Sequence, residues 1–252
     1  MKFALLGSGS QGNASLVSAG NTLLLIDCGF SLRTLVQRMA TINLQPDQLT
    51  AVLVTHEHAD HIRGIGPLSR KYQLPIYLTQ GTAQSKALGV LHQKHIISAD
   101  KTLVLGDIQV EVNAVPHDAR EPVQFIFNAL SKRLGLLTDT GSIPDALVDK
   151  YKQLDALILE ANYCPEMLSR GPYPPSLKER VAGSWGHLSN HQCVDLVEQL
   201  DIEQLQHLVL AHISQKNNSA ERVLAVFEHI PQVRSRLHLA EQDDGFAWLH
   251  IA

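Results

Sequence analysis

The chain has 252 residues, 44% of them hydrophobic and 18% charged, with a net charge of −4. That length buries a core of one large domain or two small ones, and no apolar run approaches the ~20 residues of a membrane-spanning helix. The mild acidity excludes a global electrostatic footprint for nucleic acid, although bound metal ions would add local positive charge that the sum omits.

Three widely spaced cysteines, Cys28, Cys164 and Cys193, make neither a disulfide framework nor a CxxC zinc site. They read as reduced, buried thiols of a cytoplasmic protein. The opening "MKFALLGSGSQGN" has one lysine before a short apolar run. Glycine and serine break that run too early for a signal h-region, so it reads as a first strand.

In chain order, "SLVSAG" and "NTLLLIDCG" follow as strands around a Gly20-Asn21 turn, an antiparallel meander. "SLRTLVQRMATI" reads as a helix capped by Ser31, with Leu32, Leu35, Val36 and Met39 at helical spacing. "LTAVLVT" is a continuous apolar run, the mark of a buried strand. A helix in "IRGIGPLSRKY", a strand in "LPIYLT" and a helix in "TAQSKALGVLH" come next. "KTLVLGDIQVEVNAVPH" reads as strand, Gly106-Asp107 turn, strand, and "VQFIFNALSKRLGLLTDTG" as a hairpin with Lys132 and Arg133 on a solvated turn. "PDALVDKYKQ", "PSLKERVAG", "SNHQCVDLVEQL" and "NNSAERVLAVFEHI" read as helices, and "LDALILEAN" and "LQHLVLAHIS" as strands. "RLHLAEQDDGFAWLHI" is expected to add a strand. Strands followed by helices in each half fit one α+β domain over residues 1–252, with two sheets face to face and helices outside.

The densest chemistry lies in "VLVTHEHADHIRG", residues 52–64. His56, His58, Asp60 and His61 follow directly on a buried strand. Side chains two apart diverge on a helix but converge from a strand end or tight loop. Imidazoles with a carboxylate suit zinc and similar ions. Four candidate ligands in one short loop exceed what a single site takes from one segment, which suggests two adjacent ions completed from elsewhere. His117 in "NAVPHDA", Asp139 in "GLLTDTG" and His212 in "LVLAHIS" each stand where a strand gives way to a loop. Glu57 points away from its histidine neighbours in an extended loop and reads as a solvent-facing or supporting carboxylate. Isolated histidines such as His238 and His250 read as ordinary surface or core residues.

"THEHADH" resembles the HxHxDH signature of the metallo-β-lactamase fold superfamily, and His117, Asp139 and His212 fall in the order of its later metal motifs. The resemblance implies a four-layer αββα sandwich with metals at one edge. By that pattern His56, His58 and His117 hold one divalent ion, Asp60, His61 and His212 hold the other, and Asp139 bridges them. Asp27 in "LLIDCG" would steady the histidine loop by fixing an imidazole tautomer. Zinc and manganese both suit such a site.

Finer segments narrow the substrate. "LLGSGSQGNAS" reads either as an anion-binding nest of backbone N–H groups or as a plain turn. "GPYPPSLKERVAGSWGHLSN" sets Arg170, Lys178 and Arg180 beside Tyr173 and Trp185, ahead of His187. Cations beside aromatics suit a nucleic-acid strand; standing alone, the segment reads as a solvated helix after a Pro-rich loop. Together with "THEHADH", "GIGPLSRKY" and "AHISQKNN", these segments are similar to the YycJ/WalJ-type branch of the superfamily. That resemblance implies a DNA exonuclease working 5′-to-3′ through a metal-activated hydroxide. Asp60 or Asp139 would accept the water's proton, and His187 would hold a phosphate oxygen or protonate the leaving group. One departure is "EANYC", where Tyr163 stands in place of a histidine common in relatives. The Asp139-to-His212 interval is too short for a large inserted cap. A thioesterase or lactonase using the same metals is the competing enzymatic expectation, and a non-catalytic metal scaffold is a third, disfavoured by the complete ligand set.

Overall fold

Lys2–Gly7 forms strand β1, and every residue from Phe3 onward is buried. The computed structural model describes residues 1–242 and 245–252, and the chain divides into two compact units. The first holds residues 1–114, 119–131 and 241–252. In it β2 (Ala14–Ala19) and β3 (Thr22–Ile26) continue β1 as an antiparallel meander, with Phe3 opposite Val17 and Val17 opposite Leu24. Gly20 makes the turn at a φ of 54°, which glycine adopts without steric cost. Helix α1 (Leu32–Thr41) then crosses to β4 (Ala51–Leu53), which runs parallel to β3. Ser31 caps α1 by accepting from the Thr34 N–H, and Leu35 and Met39 face the core. A single turn α2 (Ala59–Ile62) and helix α3 (Ile65–Tyr72) lead to β5 (Pro75–Thr79), parallel to β4, and to β6 (Gln93–Ile97), parallel to β5. β7 (Thr102–Leu105), β8 (Ile108–Ala114) and β9 (Val123–Ala129) make a second antiparallel meander.

The second unit holds residues 115–118 and 132–240. Its strands β10 (Lys132–Leu137), β11 (Ala156–Glu160), β12 (His207–Ala211) and β13 (Leu237–Leu239) are all parallel and hydrogen-bonded in that order. Helix α4 (Asp145–Tyr151) joins β10 to β11. Helices α5 (Pro165–Arg170), α6 (Pro175–Ala182) and α7 (Asn190–Val197) lie between β11 and β12. Helices α8 (Ala220–Val226) and α9 (Pro231–Arg234) precede β13. Leu134, Leu157, Leu159, Leu208 and Leu210 are fully buried, so these strands read as unbroken apolar runs. The chain then returns to the first unit as β14 (Phe246–His250), antiparallel to β1. That unit's sheet has the order β14-β1-β2-β3-β4-β5-β6. One of its faces carries Ala4, Leu6, Leu16, Leu25, Val52 and Ile76, packed with Leu35 and Met39 of α1 and Leu68 of α3. Among the described residues, no helix is long and apolar enough to cross a membrane.

Several local expectations fail. "TAQSKALGVLH" is not a helix but two 3-10 turns, Thr82–Gln84 and Lys86–Leu88. Ser85 is extended between them, Gly89 turns at a φ of 62°, and the Gly81 N–H is held by Glu121 at 2.6 Å. These anchors outweigh the local helical spacing. Strand β6 and helix α5 lie where no element was expected. The C-terminal segment gives two strands rather than one, β13 in the second unit and β14 in the first; Asp243 and Asp244 between them lie outside the described residues. Lys132 and Arg133 are not a merely solvated turn. The Lys132 ammonium lies 3.3 Å from Asp155, and the Arg133 guanidinium donates to the Gln153 carbonyl at 2.9 Å.

Candidate metal centre

In the first unit the ligand-bearing loop starts where β4 ends. The Thr55 N–H donates to Asp27 Oδ1 at 2.9 Å, and its hydroxyl donates to Asp27 Oδ2 at 2.8 Å. Asp27 directly follows β3, so parallel neighbours deliver the carboxylate and the loop to one sheet edge. His61 Nδ1 lies 2.8 Å from the same Oδ2. An imidazole facing a buried carboxylate donates from that nitrogen, which leaves Nε2 for a ligand. The extended stretch from His56 to His58 turns at His58 into α2, which carries Asp60 and His61. The ring of His56 therefore packs 4.5 Å from His58 and 4.1 Å from His61, and Asp60 Oδ2 lies 3.7 Å from His61 Nε2.

The glycine-rich loop of residues 7–13 braces this turn. The Asn13 N–H donates to the Asp60 carbonyl at 2.8 Å, and its side-chain amide lies 3.1 Å from His61 Nε2. The Gly9 and Gly12 N–H groups bond within the loop, to Asn13 Oδ1 and the Gly9 carbonyl. Of its two readings, the turn therefore fits better than the anion nest. Gly29 has no room for a side chain, since a Cβ would lie 1.7 Å from the Asp60 carbonyl oxygen. Glu57 turns away as expected: its Oε1 accepts from the Arg120 N–H at 2.9 Å.

In the second unit the parallel strands bring Asp139, Glu160 and His212 to one edge, because each stands at or just beyond a strand's C-terminal end. Ligand atoms of Asp139, Glu160, His187 and His212 all lie within 4.8 Å of one another. Glu160 is fully buried, and Oε1 accepts from Nδ1 of both His187 and His212 at 2.8 Å. Its Oε2 accepts from the Leu188 N–H at 2.9 Å. With both oxygens engaged, Glu160 orients the two imidazoles rather than offering itself as a ligand. Burial pushes this carboxyl up, but the charge and hydrogen bonds of His187, and the hydrogen bond of His212, outweigh it and hold the pKa at about 2. Burial pushes His187 down, and the Glu160 charge and hydrogen bond overcome that and raise it above 6.5. Asp139 Oδ1 lies 3.3 Å from His212 Nδ1. His117 stands apart from that carboxylate set, with Nδ1 donating to the Gly186 carbonyl at 3.0 Å and its ring 5.3 Å from His187.

The donor set fits divalent ions of the zinc and manganese type. His61, His117 and His212 each have Nδ1 committed to an oxygen acceptor, the tautomer that offers Nε2 to a metal, and carboxylates stand beside them. Sequence reasoning missed Glu160. Its signal was a lone acidic residue ending the apolar run "LDALILE". Tyr163 is buried and does not join the cluster by a hydrogen bond; its backbone bridges to Ser189.

The pattern for the β-lactamase superfamily domain matches residues 22–213. The chain belongs to the β-lactamase superfamily. Within it, the chain is 38% identical over 226 residues to the exodeoxyribonuclease WalJ of Streptococcus pneumoniae, covering 87% of this chain and 84% of that one. It is 36% identical to the exodeoxyribonuclease YycJ of Bacillus anthracis, over 88% of this chain and 85% of the relative. This superfamily member therefore falls in the YycJ/WalJ-type branch. The metallo-β-lactamase fold protein YhfI of Bacillus subtilis superposes with a TM-score of 0.74 at 19% identity, over 99% of each chain. The fold is the α+β metallo-β-lactamase fold.

Proposed function

We propose that this chain is a dinuclear-metal-dependent exodeoxyribonuclease that degrades DNA from 5′ ends in the cytoplasm, acting as one domain over residues 1–252. The observation that carries the reading is identity of 36–38% to two exodeoxyribonucleases over most of the chain. The donor chemistry of both units supports it. His56, His58 and His117 would hold one ion and Asp60, His61 and His212 the other, with Asp139 contributing to both. Divalent zinc or manganese supplies Lewis acidity towards water and the phosphoryl oxygens.

The side chains do the rest. Asp27 and Glu160 lock the imidazoles, so binding starts from ordered ligands. Asp60 or Asp139 accepts the proton of the attacking water. His187 has a side chain 23% exposed, with Nδ1 held by Glu160. It is suited to donating to the leaving oxygen or holding a non-bridging one.

The test is cleavage of end-labelled duplex DNA, single-stranded DNA, RNA and a thioester by protein loaded with Mn²⁺ or Zn²⁺. Stepwise shortening of DNA from 5′ ends, lost in Asp60→Ala, is expected. Thioester turnover with every polymer intact would overturn the reading in favour of a small-molecule hydrolase.

A further inference from the structure

Trp185 is 61% exposed, and a single exposed apolar residue ordinarily needs no explanation. Its backbone setting is what sets it apart. The Gly186 N–H donates to the Gly183 carbonyl at 2.8 Å, and the His187 N–H to the Val181 carbonyl at 2.9 Å. The Ser142 hydroxyl donates to the Ser184 carbonyl at 3.1 Å. Gly141 packs so closely that a Cβ there would lie 2.5 Å from the Trp185 nitrogen. The loop is thus pinned on both sides of the tryptophan while the indole itself is held out in water. The next carbonyl, that of Gly186, orients His117, and the residue after it is His187. The backbone that carries the indole is therefore fixed, two residues before His187.

The surrounding surface points to what meets it. Helix α6, which leads into this loop, carries no buried residue, unlike the other helices of its unit. It carries Lys178, Glu179 and Arg180 instead; the Lys178 ammonium donates to the Ser169 carbonyl at 2.6 Å, and Arg180 is tied to Asp118, next to His117. Beyond His212, the exposed Lys216 ammonium lies 5.8 Å from the centroid of the Tyr173 ring. A helix that adds nothing to the core and leads to an exposed indole on a pinned backbone, with the Lys216 ammonium and Tyr173 in the same unit, suits a ligand with both negative charge and flat apolar faces. A nucleic-acid strand has both.

We propose that Trp185 is the stacking platform for a base of the substrate strand, which positions the adjacent phosphate at the His187 cluster; this rests on the nuclease reading. The indole acts as a positioning residue, and its π-face accepts any base. Loss of a base–aromatic stack weakens binding by about 5- to 150-fold.

The experiment uses the full chain with Trp248→Phe, which leaves Trp185 as the sole emitter of the two tryptophans. Metal-free protein is titrated with an oligodeoxyadenylate and with an abasic strand of the same length. Quenching by the first and not by the second is expected. Equal quenching by both, or by neither, overturns the proposal. Emission that responds to protein concentration and not to DNA assigns the indole to contact between copies, and also overturns it. In parallel, Trp185→Ala is expected to raise KM on single-stranded DNA about 5- to 150-fold with a smaller change in kcat, and Trp185→Phe to recover most of the loss. Wild-type kinetics in Trp185→Ala would sink the platform and leave the nuclease reading standing. Intact DNA with base-dependent quenching would sink the nuclease reading and leave the platform standing.

Discussion

Asp27, Asp139 and His212 have backbone φ values of 60°, 52° and 53°. Each stands just past a strand, in a left-handed turn. Non-glycine residues in this region cost about 1–2 kcal/mol each, a cost that surrounding structure must offset. Asp27 shows how: its oxygens bind Thr55 twice and His61 once. Asp27→Ala is expected to weaken metal binding by about 10- to 100-fold, read by competition with a chromogenic chelator. Unchanged affinity would show that the carboxylate does not orient His61. Glu160 makes a prediction in pH. Its folded pKa of about 2 lies below the ordinary 4.5, so the metal-free protein gains stability that is complete above about 4.5 and is lost as pH falls towards 2. Urea midpoints of metal-free protein between about pH 6 and about pH 3 should fall less steeply in Glu160→Gln than in wild type. The candidate His and Asp ligands stood out because they cluster in sequence or end apolar runs. Glu160 was not, because burial at a strand end and its two histidine partners arise only when three parallel strands align.

Elements with strong local signals formed where their residues placed them. Ser31 and Ser219 cap their helices, and Gly20 and Gly106 turn between strands with positive φ. Less legible elements are governed by distant partners. Residues 82–92 have helical spacing, but Ser85 is extended and Gly89 turns at a φ of 62°, which splits the run into two 3-10 turns, while Glu121 holds the preceding Gly81 N–H. Strand β6 escaped because Gln93, Lys94 and Ile96 are exposed, which erases the apolar alternation that marks a strand. Gly29→Ala places a methyl against the Asp60 carbonyl and is expected to destabilise by about 1–3 kcal/mol. It should also lower metal affinity, since Asp60 and His61 ride on α2. A thermal melt with the chelator titration checks both, and wild-type values in each would contradict the packing argument.

For the molecule as a whole, under the nuclease reading, the net charge of −4 leaves substrate affinity to local cations. Affinity is therefore expected to fall linearly on a log–log plot against salt, as phosphate contacts release counterions. A flat plot would mean that phosphates are not contacted. The fully buried Cys28 and Cys193 have thiols pushed up by burial, Cys28 to about 12. Neither should react with a thiol reagent until the chain unfolds. The most direct test of the hydrolytic centre is a metal titration of metal-free protein, with nucleotide release from 5′-labelled DNA followed at each measured loading. Release should climb until about two ions are bound per chain and then level off. DNA left intact with both ions bound would contradict the exodeoxyribonuclease reading.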